Sequence, residues 1–227
     1  MPTDFAPLPV YHLTAERRFQ CCVHEAGHAI AGALGGRQCL ELVVAPEGAE
    51  EWRPVTISGR RLNALWGYCS SHPVPPPLAY LKWDSETPYG FDMAPAKRVH
   101  AAFLGGMEKP AFRTAYYRDI RVALCGYVAG QVAEALLLNE TPWLESDYTG
   151  PDDINTTEAC CDLLPFRNGR EFDHAVAMTA AALRDHWPAV LALAEALAQA
   201  GTLDEDAIRP FLPPPLKGWP TPPPRRR

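Results

Sequence analysis

Five consecutive residues near the amino terminus, His24 to His28, carry the pattern HExxH. In a helix, residues four apart lie on one face, so the imidazoles of His24 and His28 can bind one metal ion from the same side. Glu25 lies about 100° round the helix from His24. From there it can take a proton from a water on the metal without binding the metal itself. The pattern is typical of zinc-dependent hydrolysis.

The element that positions these residues is a predicted helix. Thr14 is a suitable N-cap, and the pattern continues to about Leu34, where two glycines end it. Apolar residues recur at helical spacing and mark one face as core: Phe19, Val23, Ala26, Ile30 and Leu34. Small residues beside the histidines would let another element approach closely.

The rest of the chain predicts a mainly α fold, with a small β-sheet or ribbon beside the HExxH helix. Short strand-like runs lie at 40–45, 54–57 and 64–70. Residues 71–95 are rich in proline and predict a surface insertion loop. Helices then dominate, at 96–104, 111–138, from 152 or 153 onward, 171–185, 188–200 and 204–212. We expect one domain over 14–212, an irregular arm at 1–13, and a disordered Pro/Arg-rich tail at 213–227.

Composition narrows the class of protein. A formal net charge of −6 argues against nucleic acid as a partner. Seven cysteines, with two adjacent pairs and no CxxC, do not form a disulfide framework, so we expect a reducing, cytoplasmic location. The first residues lack the features of a signal peptide, and no run of about 18 apolar residues predicts a membrane span.

Two histidines do not complete a catalytic zinc site, which takes three protein ligands. The residues after His28 contain no third histidine at the HExxHxxGxxH spacing. A downstream carboxylate must therefore supply the third ligand.

Residues 23–30, VHEAGHAI, resemble the active-site helix of the FtsH-type zinc metallopeptidases, the proteolytic half of the membrane AAA+ proteases. Four later segments resemble that family's motifs and follow in the family order. They are ALWGY at 64–68, AGQVAE at 129–134, TGPDDI at 149–154 and the segment 203–212. The resemblance covers roughly residues 17–212.

The resemblance implies a role for each site residue. His24 and His28 would bind Zn2+, Glu25 would be the catalytic residue, and Asp153 would be the third ligand. The turn before Asp153 is one residue shorter than in the family, and Asp152 replaces its asparagine, so Asp152 is the close competitor. Asp153 also suits a helix N-terminus, whatever it binds. Glu134 would lie near the site rather than bind the metal.

The function expected from the resemblance is that of a zinc metalloendopeptidase that cleaves peptides or unfolded segments, bound in extended form along the 64–70 strand. The family carries a membrane anchor and an ATPase ring, and this sequence shows neither. A separate ATPase or unfoldase is therefore one expected partner, and a homo-oligomer is another. The alternative is a non-catalytic metal-binding regulatory or interaction module, although an intact Glu25 favours the enzyme.

Overall fold

The computed structural model describes residues 13–49, 66–83, 91–141, 151–166 and 169–224. Within these ranges the chain is mainly helical, with a small antiparallel sheet, as the sequence predicts. The helices are α1 (Ala15–Leu34), α2 (Ala94–Gly106), α3 (Pro110–Leu138), α4 (Pro151–Leu163), α5 (Arg170–Asp185), α6 (Trp187–Ala200) and α7 (Glu205–Ile208). The strands are β1 (Gln38–Val44), β2 (Gly67–His72), β3 (Lys82–Trp83), β4 (Phe91–Asp92) and β5 (Thr202–Asp204).

Helix α1 lies at the centre of the fold. The hydroxyl oxygen of Thr14 accepts a hydrogen bond from the Arg17 backbone N–H at 3.3 Å, which caps the helix as predicted. Every residue from Cys22 to Leu34 is buried, because α3, α6 and the sheet all pack against this part of the helix. We predicted that only one face of this helix is core, so the prediction underestimates how much of the helix is buried.

The small residues of α1 permit a close crossing with α3. A Cβ atom on Gly27 would lie 2.7 Å from the carbonyl oxygen of Ala129, so only glycine allows this approach. Helix α3 is also long and apolar enough to cross a membrane, but 83% of its most apolar stretch is buried inside the protein. Core helices of soluble proteins can have the same length and composition, so these two features alone are weak evidence for a membrane span.

The sheet has the order β2-β1-β5, and both strand pairs are antiparallel. We did not predict β5. The helix expected at 204–212 is present as the short helix α7 followed by a 3-10 turn, Arg209–Phe211, and only Asp204 of the expected span belongs to β5. Three residues are too few to show a period of two, and β5 forms because it pairs with β1.

The proline-rich segment 71–95, predicted to be a loop, contains all or part of three strands. Strand β2 continues to His72, and β3 pairs with β4 in a two-stranded ribbon. Both strands of the ribbon are two residues long, so prolines elsewhere in the segment do not interrupt them. The strand expected at 54–57 lies outside the described residues, as does almost all of the arm at 1–13.

The tail predicted to be disordered is packed against the body as far as residue 224. Trp219 is only 4% exposed, and the Leu216 backbone N–H donates to the carbonyl oxygen of Leu34 at 2.9 Å. The carbonyl oxygen of Thr221 lies 3.0 Å from Nε2 of His174. The prediction was wrong because proline content indicates the lack of a regular helix or strand, and irregular backbone can still bury a tryptophan.

Candidate metal centre

Helices α1 and α4 bring three predicted site residues together. Nε2 of His24 and Nε2 of His28 each lie 3.2 Å from Oδ2 of Asp153. The three atoms all lie within 4.8 Å of one another. The two imidazoles come from successive turns of α1, with ring centroids 4.6 Å apart, and Asp153 comes from the first turn of α4.

Helix α3 contacts both imidazoles at Nδ1, the ring nitrogen that does not face Asp153. Nδ1 of His24 forms a hydrogen bond with the carboxylate of Glu134, and Nδ1 of His28 donates to the carbonyl oxygen of Gly126 at 2.6 Å. When Nδ1 carries the proton, the lone pair of Nε2 faces Asp153 and is free for a metal. Glu134 therefore contacts the opposite side of the His24 ring from Asp153.

The three donor atoms fit a zinc ion. Two imidazole nitrogens and a carboxylate oxygen are ligands that catalytic zinc takes, with a fourth position left for water. Zinc bonds of about 2.0–2.2 Å at tetrahedral angles place neighbouring ligand atoms about 3.3–3.6 Å apart. The two distances of 3.2 Å between the Nε2 atoms and Asp153 Oδ2 are close to that spacing.

The charges of these groups are strongly coupled. Burial disfavours the protonated form of His24, but hydrogen bonds to Asp153 and Glu134 outweigh it and raise the pKa well above 6.5. The pKa of His28 is also raised, because the charge of Asp153 outweighs the effect of burial. Burial would raise the pKa of Asp153, yet the charge of His28 and the hydrogen bonds from both imidazoles hold it well below its usual range.

Glu25 lies beside the histidines and faces strand β2. Its side chain is buried, and burial raises its pKa from 4.5 to about 7, although His24 and His28 oppose the rise. A Cβ atom on Gly67 would lie 2.3 Å from Oε1 of Glu25. The carboxylate is thus in contact with the first residue of β2, and its pKa suits a group that both takes and returns a proton near neutral pH.

The outer edge of β2 offers backbone groups beside Glu25. The Ala45 N–H donates to the carbonyl oxygen of Trp66, which makes Val44 and Gly67 a non-hydrogen-bonded pair. The N–H and C=O of Gly67 consequently point away from β1, and so do those of Cys69 by the same alternation. No strand pairs with this edge within the described residues.

The remaining histidines and cysteines in the described part of the chain form no second cluster of this kind. Nδ1 of His100 lies 2.8 Å from the Tyr116 hydroxyl. The seven cysteines are free thiols. Sequence reasoning missed the carbonyl of Gly126, because a backbone oxygen has no side-chain signature. One signal was available: Gly126, Gly130 and Glu134 are spaced four apart, so they share a helix face.

No protein-family model matches the chain, and no curated protein matches it. The resemblance to the FtsH-type peptidases therefore depends on the motifs in the sequence. The geometry of the three donor atoms and Glu25 is independent of that resemblance.

Proposed function

We propose that the chain is a zinc-dependent metallopeptidase in which His24, His28 and Asp153 hold the metal and Glu25 is the general base. One observation carries the proposal. The three donor atoms lie within 4.8 Å of one another, and the buried carboxylate next to them borders a strand edge with which no strand pairs in the part of the chain that the structure describes. A metal, a base and a backbone-binding edge are the three parts that peptide hydrolysis needs.

A bound zinc would supply a Lewis acid that lowers the pKa of a water molecule and polarises a carbonyl group. The chain's own residues do the rest. Glu25 takes the proton of the attacking water, holds it in a site shielded from solvent, and delivers it to the leaving amine. The backbone N–H and C=O groups of Gly67 and Cys69 hold the peptide extended beside this carboxylate.

Backbone pairing at β2 limits the class of substrate. A folded protein offers little free extended backbone, so the substrate is a peptide, an already unfolded segment or a chain delivered by a separate unfoldase. Because the contacts are to the main chain, the proposed site has little sequence preference. A cytoplasmic location and assembly as a homo-oligomer belong to the same proposal.

One observation favours the alternative of a non-catalytic metal-binding module. His24, His28 and Glu25 are only 7%, 8% and 6% exposed, so these side chains offer little surface to a substrate. Enzyme and module differ in the use of Glu25, because a structural metal site needs no general base.

The first prediction concerns Glu25→Gln. This variant should keep its zinc but hydrolyse casein and short peptides at least about 100-fold more slowly, because an amide cannot accept the proton. Zinc content is measured by elemental analysis and turnover with and without a chelator. Glu195→Gln, at an exposed position of α6, is the matched control. An unchanged rate in Glu25→Gln would contradict the assignment of Glu25 as the general base. Bound zinc without turnover of any unfolded substrate would favour the module.

The second prediction concerns the third ligand. Asp153→Asn should lose most of its zinc, since an amide oxygen is a poor replacement for a carboxylate ligand. Asp162→Asn is a control on the same helix, where the carboxylate pairs instead with Lys97 at 2.9 Å. The same measurement on Asp152→Asn decides between the two neighbouring aspartates. Full zinc in Asp153→Asn would exclude this residue as a ligand.

A further inference from the structure

Two glycines contact the reactive side chains where any other residue would collide with them. A Cβ atom on Gly67 would lie 2.3 Å from Oε1 and 2.8 Å from Cγ of Glu25. A Cβ atom on Gly130 would lie 2.3 Å from Nε2 and 2.4 Å from Cδ2 of His24. Real Cβ atoms essentially never come so close to another heavy atom, so each glycine leaves room for one reactive group.

Backbone conformation does not explain these glycines. Neither Gly67 nor Gly130 is among the glycines with a positive φ, so alanine could adopt either backbone conformation. Gly67 is in a strand and Gly130 in a helix, where glycine is unfavourable relative to alanine. Space for Glu25 and His24 is therefore the physical reason that remains for glycine at both positions.

The displaced groups have little freedom to move elsewhere. His24 is held on its other sides by Glu134 and Asp153. Glu25 is 6% exposed, so the buried carboxylate has little free space into which a methyl group on β2 could displace it. A shift of about 1 Å in a reacting group is enough to lower a catalytic rate about 100-fold.

We infer that Gly67 and Gly130 are positioning residues with separate tasks, Gly67 placing the carboxylate of Glu25 and Gly130 placing the metal-binding face of His24. The inference rests on the proposed function for its catalytic consequence. The two contacts themselves are properties of the fold and can be tested without activity.

The two tasks predict two different defects. Gly130→Ala should bind zinc about 10–100-fold more weakly, as variants that disturb the orientation of a metal-binding histidine do. Gly67→Ala should bind zinc as the wild type does but lose about 100-fold in kcat, with KM little changed because the outer edge of β2 is intact. Gly32→Ala is the matched control on α1, since its Cβ would meet nothing closer than 3.8 Å.

A pair of double-variant cycles tests the contacts without any turnover. In metal-free protein, Gly67→Ala should lower the midpoint of chemical unfolding in the wild-type background but not in Glu25→Ala, where the colliding atoms are gone. Gly130→Ala should do the same in the His24→Ala background. If a single variant does not fold, recovery of folding in its double variant is the equivalent result.

The outcomes separate the inference from the proposed function. Additive effects in both cycles, or normal zinc affinity in Gly130→Ala, would overturn the inference even if the wild type is an active peptidase. Coupled effects in both cycles, with a wild type that binds zinc but hydrolyses nothing, would support the two contacts and overturn the peptidase.

Discussion

The imidazoles of His24 and His28 are engaged at both ring nitrogens, with α3 at Nδ1 and Asp153 at Nε2. This arrangement favours a neutral ring when a metal is present and a protonated ring when it is absent. The spacing of the two histidines identified the residues that meet, whereas their orientation depends on Glu134 and Gly126, which are about 100 residues away along the chain. The spacing of Gly126 and Glu134 indicates a shared helix face, but it does not show which residues that face contacts.

The third prediction follows from these charges. Zinc needs neutral imidazoles, and the pKa values of His24 and His28 are raised above 6.5, so protons compete with the metal even near neutral pH. Affinity should therefore rise with pH across and above 6.5, while Asp153 stays ionised because its pKa is lowered. Competition with a chromophoric chelator measures the affinity as a function of pH.

A matched variant makes this pH dependence specific. Glu134→Gln removes one of the groups that raise the pKa of His24, so the rise in affinity should move to lower pH. An affinity that does not change between about pH 6 and 9 would contradict the coupling of the histidines to the two carboxylates.

At the scale of the element, length decides what could be predicted. The helices expected at 111–138, 171–185 and 188–200 are confirmed to within one residue at each end, because long periodic segments carry many repeats of the same signal. Strand β5 and the ribbon have three residues or fewer per strand, so their existence depends on tertiary pairing. Strand β2 was predicted, and the resemblance implied that it is an edge strand, which the order β2-β1-β5 bears out for the described residues. No local pattern shows an edge position, because it depends on the strand order.

The fourth prediction concerns that edge. The outward N–H and C=O groups of Gly67 and Cys69 are two residues apart, so an antiparallel peptide bonds to them through every second residue. N-methylation of a peptide substrate should raise KM about three- to tenfold at two positions two residues apart, with no effect between them. The intervening positions are the internal control. Equal sensitivity at consecutive residues would exclude this mode of binding.

At the scale of the whole molecule, one buried ion pair joins α3 to α5. The guanidinium of Arg121 donates to both carboxylate oxygens of Glu171, at 2.8 Å and 2.7 Å, and the side chains are 9% and 2% exposed. Helix α3 also contacts both histidines, through Glu134 and Gly126. The bidentate pair therefore helps to hold in place the helix that orients the two imidazoles. Composition gave no indication of it, since most charged residues lie at the surface.

The fifth prediction tests this pair. Glu171→Ala should lower the free energy of unfolding by about 3–5 kcal/mol, because it leaves the Arg121 guanidinium buried without a partner. The double variant Arg121→Met with Glu171→Leu should recover most of that loss. Lys97→Ala is the surface control and should cost less than about 1 kcal/mol, since its pair with Asp162 is exposed. Guanidinium chloride unfolding of metal-free protein measures all three.

The packing of the segment 202–224 against β1 and α1 has a consequence for biosynthesis. The HExxH helix is synthesised before α6 and before the segment that contains Leu216, yet it is buried by α6, and its carboxyl end contacts Leu216. Its partners are thus separated from it by most of the sequence, and such non-local contacts form late. A nascent chain therefore holds both histidines before Asp153 has been synthesised, so the three proposed metal ligands can meet only after α4 has left the ribosome.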